Sequence, residues 1–294
     1  MVVSRHQPNF LAMKTLYIIG NGFDLYHNLP TSYSHFKDYL NKKDNTSNTV
    51  SFLEYIFGGS LWSDFEKSIG RPNIDVVYRL SQEEEKRLPE FNKQKCALEN
   101  ICDALIQIKL LFTEWVTYVK CLQYKCWKKL SITANDNIFL TFNYTQTLEN
   151  VYNIPNEYIC YIHDQCNGAN KETIGAVLNT ERYICGCDRN ASIEIQSENE
   201  TIVEHIKYMT KNVDEIIQST KWQKFIDKII SVQQIFVIGH SVSEVDQPYF
   251  EKIKALIPNA QWYYARTEEY PEDNVKANLK RIGICAKAVL YTDI

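Results

Sequence analysis

The chain has 294 residues, 45% of them hydrophobic, and 32 Lys+Arg against 36 Asp+Glu give a formal net charge of −4. That apolar content supports a folded core and argues against wholesale disorder, while the mild acidity provides no electrostatic footprint for nucleic acid. No apolar run approaches the ~20 residues needed to span a bilayer, so no membrane association is expected.

Residues 1–12 carry an apolar stretch too short and too interrupted for a signal peptide, and they read as an N-terminal extension ahead of Met13. Nine cysteines without a secretory signal point to reduced thiols in a cytoplasmic protein. An odd count also fits poorly with a fully paired disulfide framework.

The first element is the β-prone run Thr15–Ile19, which ends in Gly20-Asn21-Gly22 and passes into a helical pattern. Two glycines let the backbone turn tightly and approach a ligand. The turn falls at the carboxyl end of a strand, where open α/β sheets bind ligands, and N–H groups at the following helix start can face a phosphate. A lone G-x-G is a weak nucleotide signal, because many strand–helix turns carry glycine for geometry alone.

Further β-prone runs follow at Asn137–Phe142, Tyr158–Ile162, Gln234–Ile238, Gln261–Ala265 and Ala286–Tyr291. Most are nearly all apolar, as strands covered on both faces are. Their alternation with helical stretches predicts an α/β fold: a Rossmann-like, mostly parallel sheet with helices on both faces. Two interruptions, at about 62–130 and 164–233, read as helical insertions in a single domain spanning 13–294. In the first, Ala97, Ile101, Ala104, Leu105, Ile108, Leu111, Phe112, Trp115, Val119 and Leu122 recur at helical spacing and predict one helix over Lys95–Tyr124. The charged run Ser81–Arg87 before it reads as a solvated face or loop. In the second, Ile202, Ile206, Met209, Val213, Ile216 and Ile217 predict a helix within Thr201–Ile230.

Three more strand ends carry compact polar residues: Thr141-Phe-Asn143, Tyr161-Ile-His163 and Gly239-His-Ser-Val-Ser-Glu-Val-Asp246. In a parallel sheet these ends gather on one edge. Asn143, His163, Ser241 and Asp246 are therefore expected to converge with the glycine turn. Asp246 also opens Asp-Gln-Pro-Tyr-Phe-Glu251, the pattern of an acidic helix N-cap with Pro at N2. Trp62 and Glu66 share a helix face, with Trp62 assigned to the core and Glu66 within reach of the site.

As a set, Gly20-Asn-Gly-Phe-Asp24, Leu29-Pro-Thr-Ser-Tyr33, Trp62-Ser-Asp-Phe-Glu66, Thr141-Phe-Asn-Tyr144, Tyr161-Ile-His163 and Gly239–Asp246 resemble the bacteriophage abortive infection AbiH family. That pattern in turn resembles sirtuin-like NAD-binding domains: G-A-G-x-S with G-[IL]-P against Gly20–Asp24 and Asn28–Pro30, T-x-N against Thr141–Asn143, H-G against His163-Asp164, and G-[TS]-S against Gly239–Ser241. Three positions depart from it. Asp24 stands for the Ser, Thr145 for the Asp after N-x, and Asp164 for the Gly after His.

The resemblance implies an antiphage protein that binds NAD or a related nucleotide and hydrolyses the nicotinamide–ribose bond; the alternative is a non-hydrolysing nucleotide sensor acting through oligomers or a partner. It implies Asn143 and His163 as catalytic residues. Asn143 would hold ribose or water in line without adding charge, and His163 would act as base, an unperturbed imidazole titrating at ~6.5. Gly20, Asn21, Gly22, Asp24, Thr141, Gly239, Ser241 and Asp246 would bind the nucleotide. Gly20 and Gly22 would let backbone N–H groups approach the pyrophosphate, and Asp24 would meet a ribose hydroxyl or cap the helix. An activating trigger from phage or host is expected, and a homo-oligomer is a further expectation. No metal is expected: Cys160, Cys166, Cys185 and Cys187 lack the paired C-x-x-C spacing of a zinc ribbon.

Overall fold

A computed structural model describes residues 14–43, 46–58, 61–62, 65–68, 73, 75–76, 79, 104, 107–108, 110–119, 129–135, 137–163, 213–267 and 274–294. The chain divides into two compact units. One comprises Met1–Leu29, Gln123–Gln165 and Val213–Ile294; the other comprises Pro30–Leu122 and Cys166–Asn212.

The first unit holds a six-stranded sheet of β1 (Thr15–Ile19), β2 (Ile138–Thr141), β3 (Ile159–Tyr161), β4 (Gln234–Ile238), β5 (Gln261–Arg266) and β6 (Ala286–Leu290). All five pairings are parallel, in the order β3-β2-β1-β4-β5-β6. This is the Rossmann order, with its topological switch point between β1 and β4. The expected α/β fold is therefore present, and each apolar run became a strand within a residue or two of its expected ends. β1, β2 and β4 are buried along their whole length, which explains their unbroken apolar character. The edge strand β6 is partly exposed.

One aromatic row fixes the register. Phe139, Tyr17, Phe236 and Tyr263 are successive cross-strand partners on β2, β1, β4 and β5. Their rings stack at 5.1, 5.7 and 4.7 Å between centroids. A one-residue slip of any strand would move its ring to the opposite face. Burial also pushes the Tyr17 hydroxyl up to about 12.

Helices flank the strands in sequence: α1 (Asn21–Tyr26) follows β1 directly. In the second unit, α2 is Tyr33–Lys42, α3 is Ser47–Phe57, α4 is Phe65–Ser68 and α5 spans 110–119. Ser32 closes a capping box with His35 at the start of α2. Buried Ala104, Ile108, Leu111, Phe112, Trp115 and Val119 confirm the expected helical stripe over its described part. Phe36 is the hub, with Trp115 at 5.1 Å, Phe112 at 5.3 Å and Trp62 at 6.0 Å. Trp62 is core, as expected, and its Nε1 donates to Glu54 at 2.6 Å. The side chain of Glu66 and the run Ser81–Arg87 lie outside the described residues.

Beyond β2 come α6 (Thr147–Tyr152), α7 (Val213–Gln218), α8 (Thr220–Ile229), α9 (Gln247–Leu256) and α10 (Asn274–Arg281). The segment Thr201–Ile230 is helical in its described part, as expected, but as two helices divided at Ser219. The Ser219 hydroxyl accepts the Trp222 N–H and donates to the Ile216 carbonyl, so one side chain ends α7 and caps α8. Residues 201–212 lie outside the described residues. Among the described residues no helix is long and apolar enough to cross a membrane.

Candidate functional site

The polar ends of β1, β2 and β4 meet around the switch point. Gly20 N–H donates to the Ile238 carbonyl at 2.9 Å, and Gly22 N–H to the Gly239 carbonyl at 2.7 Å. A Cβ on Gly22 would lie 2.8 Å from Gly239 Cα, and one on Gly239 would lie 2.1 Å from Phe23 N. Gly239 also has φ +65, open to glycine at little cost. The glycines are thus required because two backbone segments press together at the β1/β4 junction. The N–H groups of Gly20 and Gly22 themselves are donated to carbonyls of β4 and its loop. Asn21, between them, is exposed.

Asn143, at the end of β2, is 7% exposed, and its Nδ2 donates to the Gly20 carbonyl at 3.1 Å. Its backbone N–H goes to Thr141 Oγ1 at 3.1 Å, so Thr141 shapes the turn that presents Asn143. Asp24 is 1% exposed, on α1. Its two oxygens accept from Thr145 and Thr147, each at 2.6 Å, and Asn143 also hydrogen-bonds to it. Neither a solvent-facing ribose contact nor a helix cap describes this carboxylate; it ties α1 to the segment entering α6. Burial raises its pKa to about 6, against the lowering effect of Thr145, Thr147 and Asn143. Asp24 and Thr145 are two of the three departures noted in the sequence. The structure joins them in one contact, with hydroxyl and carboxylate exchanged between the two positions.

His163, following β3, is buried beside Phe142, its ring edge-on at 5.6 Å and 72°. Phe142 also meets His240, edge-on at 4.2 Å and 71°. Phe142 thus links the β3 and β4 ends. Asp164 lies outside the described residues.

His240 is the residue that the sequence reading missed, although it stands inside the glycine–serine motif. It is 5% exposed, and its Nδ1 accepts the Val242 N–H at 2.9 Å. The neutral ring therefore carries its proton on Nε2, which lies 3.6 Å from Asp246 Oδ2. Asp246 also accepts from Ser243 Oγ at 3.0 Å. It occupies the N-cap position of α9, with Pro248 in the first turn as expected, but its side chain makes no cap hydrogen bond. The carboxylate turns toward His240 and Ser243 instead. This loop holds Val242 at φ +54, a left-handed conformation that a β-branched residue rarely adopts. No period in the sequence marks either feature. Ser241 is exposed, and its carbonyl accepts from Asn278 Nδ2 at 3.0 Å.

The structure therefore brings Gly20, Gly22, Asp24, Thr141, Asn143 and Gly239 into direct contact. It sets both His163 and His240 against Phe142, and leaves Asn21 and Ser241 exposed. Among the described residues no three His, Cys, Asp or Glu side chains converge to hold a metal ion. Cys160 is buried in β3, while Cys166, Cys185 and Cys187 lie outside the described residues.

Fold and site together define a Rossmann-type α/β protein with polar strand ends packed at the switch point. The chain belongs to the bacteriophage abortive infection AbiH family, whose model matches residues 16–265. Its role is accordingly in abortive infection by bacteriophage. A search of curated proteins found no match.

Proposed function

We propose that this protein acts in abortive infection by binding NAD or a related nucleotide at the β1/β4 switch point and hydrolysing the nicotinamide–ribose bond. The observation that supports this reading is the strand order, with exposed Asn21 at the start of α1 and exposed Ser241 in the loop after β4, both beside the switch point. Because the Gly20 and Gly22 amides are already donated, phosphate recognition falls to the exposed side chains rather than to the glycine turn. Asn143 holds the attacking water in line, and His163 accepts its proton. The water oxygen bonds to the ribose carbon, and nicotinamide leaves with the electrons of the broken bond. Loss of NAD halts the infected cell before phage replication is complete.

The test is nicotinamide release from NAD by purified protein, with and without extract of phage-infected cells, for wild type and His163→Ala. Release by wild type and its loss in His163→Ala is the expected result. The absence of release under every condition would exclude hydrolysis. One observation favours the second reading, a nucleotide sensor without turnover: Asn143 is engaged by Gly20 and Asp24, as a structural strut would be. That reading predicts NAD binding by calorimetry with no nicotinamide produced.

A further inference from the structure

We propose that Asp24 is a positioning residue that orients the Asn143 amide, so that the amide oxygen is the atom Asn143 presents at the strand-end edge. Asn143 Nδ2 donates to the Gly20 carbonyl at 3.1 Å, and its second partner is the Asp24 carboxylate. Both partners are acceptors, so only the nitrogen side of the amide can face them. A flipped amide would set Oδ1 against a carbonyl and a carboxylate, losing both bonds and adding repulsion between lone pairs.

Asp24 is itself held. Thr147 Oγ1 donates to Oδ1 and Thr145 Oγ1 to Oδ2, both at 2.6 Å. The donors Asn143, Thr145 and Thr147 fall at every second position of the segment between β2 and α6. The carboxylate therefore fixes the loop that carries Asn143 as well as its amide plane. What Asn143 recognises must be a hydrogen-bond donor, a hydroxyl or a water, rather than a carbonyl or phosphate oxygen. This deepens the nucleotide reading above and rests on it for the identity of the ligand, but the orientation of the amide stands on its own geometry. The other titratable groups on elements packed here are His27 at the C-cap of α1, Glu149 on α6 and Tyr161 on β3. Tyr161 Oη donates to Glu149 at 2.6 Å and lies 3.3 Å from the Thr145 carbonyl.

The test is the side-chain amide signal of Asn143 in asparagine-labelled protein, assigned by its absence in Asn143→Ala and followed from pH 4.5 to 8. In wild type the signal is expected to exchange slowly with solvent and to shift as Asp24 titrates. In Asp24→Asn the shift should vanish and exchange should quicken about tenfold, His27, Glu149 and Tyr161 being unchanged. Thr147→Val, close in volume to threonine, serves if Asp24→Asn does not fold: with one donor to the carboxylate removed, the titration midpoint should move upward. An Asn143 signal indifferent to pH in wild type, or the same midpoint in Thr147→Val, would overturn the proposal. NAD is then added. A pH-sensitive signal that NAD leaves unmoved rejects the nucleotide reading while the positioning role stands.

Discussion

Replacing Asp24 by asparagine isolates the one buried carboxylate of the β1–α1 junction. The group is 1% exposed, and burial raises its pKa from 3.8 to about 6 in the folded chain. A carboxyl with a raised folded-state value favours the folded state most when protonated. Its contribution is therefore complete below the unfolded value and is lost as pH rises through about 6. The rise corresponds to about 3 kcal/mol between the extremes, most of which falls between pH 7.5 and pH 4. Full burial makes a discount for solvent screening unnecessary. The side-chain amide of the Asp24→Asn variant exchanges no proton in this range, so the contribution disappears there. Urea unfolding of both proteins at a series of pH values measures it, because the difference at each pH cancels groups common to the two. The wild type should gain about 2–3 kcal/mol on the variant as pH falls from 7.5 to 4. Parallel stability curves would refute the reasoning, since they would mean that Asp24 has the same affinity for its proton folded and unfolded.

Gly239→Ala should destabilise by more than about 3 kcal/mol or prevent folding, because its Cβ would lie 2.1 Å from Phe23 N at a left-handed φ. Gly58→Ala, at φ +82 and ψ 174, a backbone region that is essentially glycine-only, should cost about 2–3 kcal/mol in thermal or urea unfolding although open space surrounds it. Tyr152→Phe removes the hydroxyl between His27 Nε2 at 2.7 Å and the Leu130 N–H at 3.1 Å; unfolding should register a loss of about 1–2 kcal/mol. Trp62→Phe keeps a ring against Phe36 but loses the bond to Glu54, and about 1–2 kcal/mol of unfolding free energy is expected to go with it.

The sheet was legible because its central strands are buried on both faces, so each appears as a short apolar run bounded by polar turns. The meeting of strand ends followed from that, since parallel strands place their carboxyl ends on one edge. What each polar side chain does there was not legible. Gly22 and Gly239 read as a ligand turn, yet their lack of a Cβ is needed by one another, a contact between positions 217 residues apart in sequence. Asp24, Thr145 and Thr147 are likewise joined only through the β1–β2 pairing, so no local pattern connects them. His240 sits in a motif whose glycine and serine drew the attention, and its partner Asp246 resembled a helix cap by position and neighbours. The apolar spacing lapses over Gln218–Lys221, but a four-residue lapse does not by itself distinguish a break from an exposed turn of one helix. Only the hydroxyl's two hydrogen bonds reveal that one helix ends and another begins.

Calorimetric titration of the purified protein with NAD tests the proposed function most directly. Wild type is predicted to bind stoichiometrically. Ser241→Trp, which enlarges an exposed side chain at the switch point without entering the core, is predicted to weaken binding by about tenfold or more, roughly 1.4 kcal/mol. No heat of binding with wild type, or the same affinity in Ser241→Trp, would contradict the assignment of NAD to this edge of the sheet.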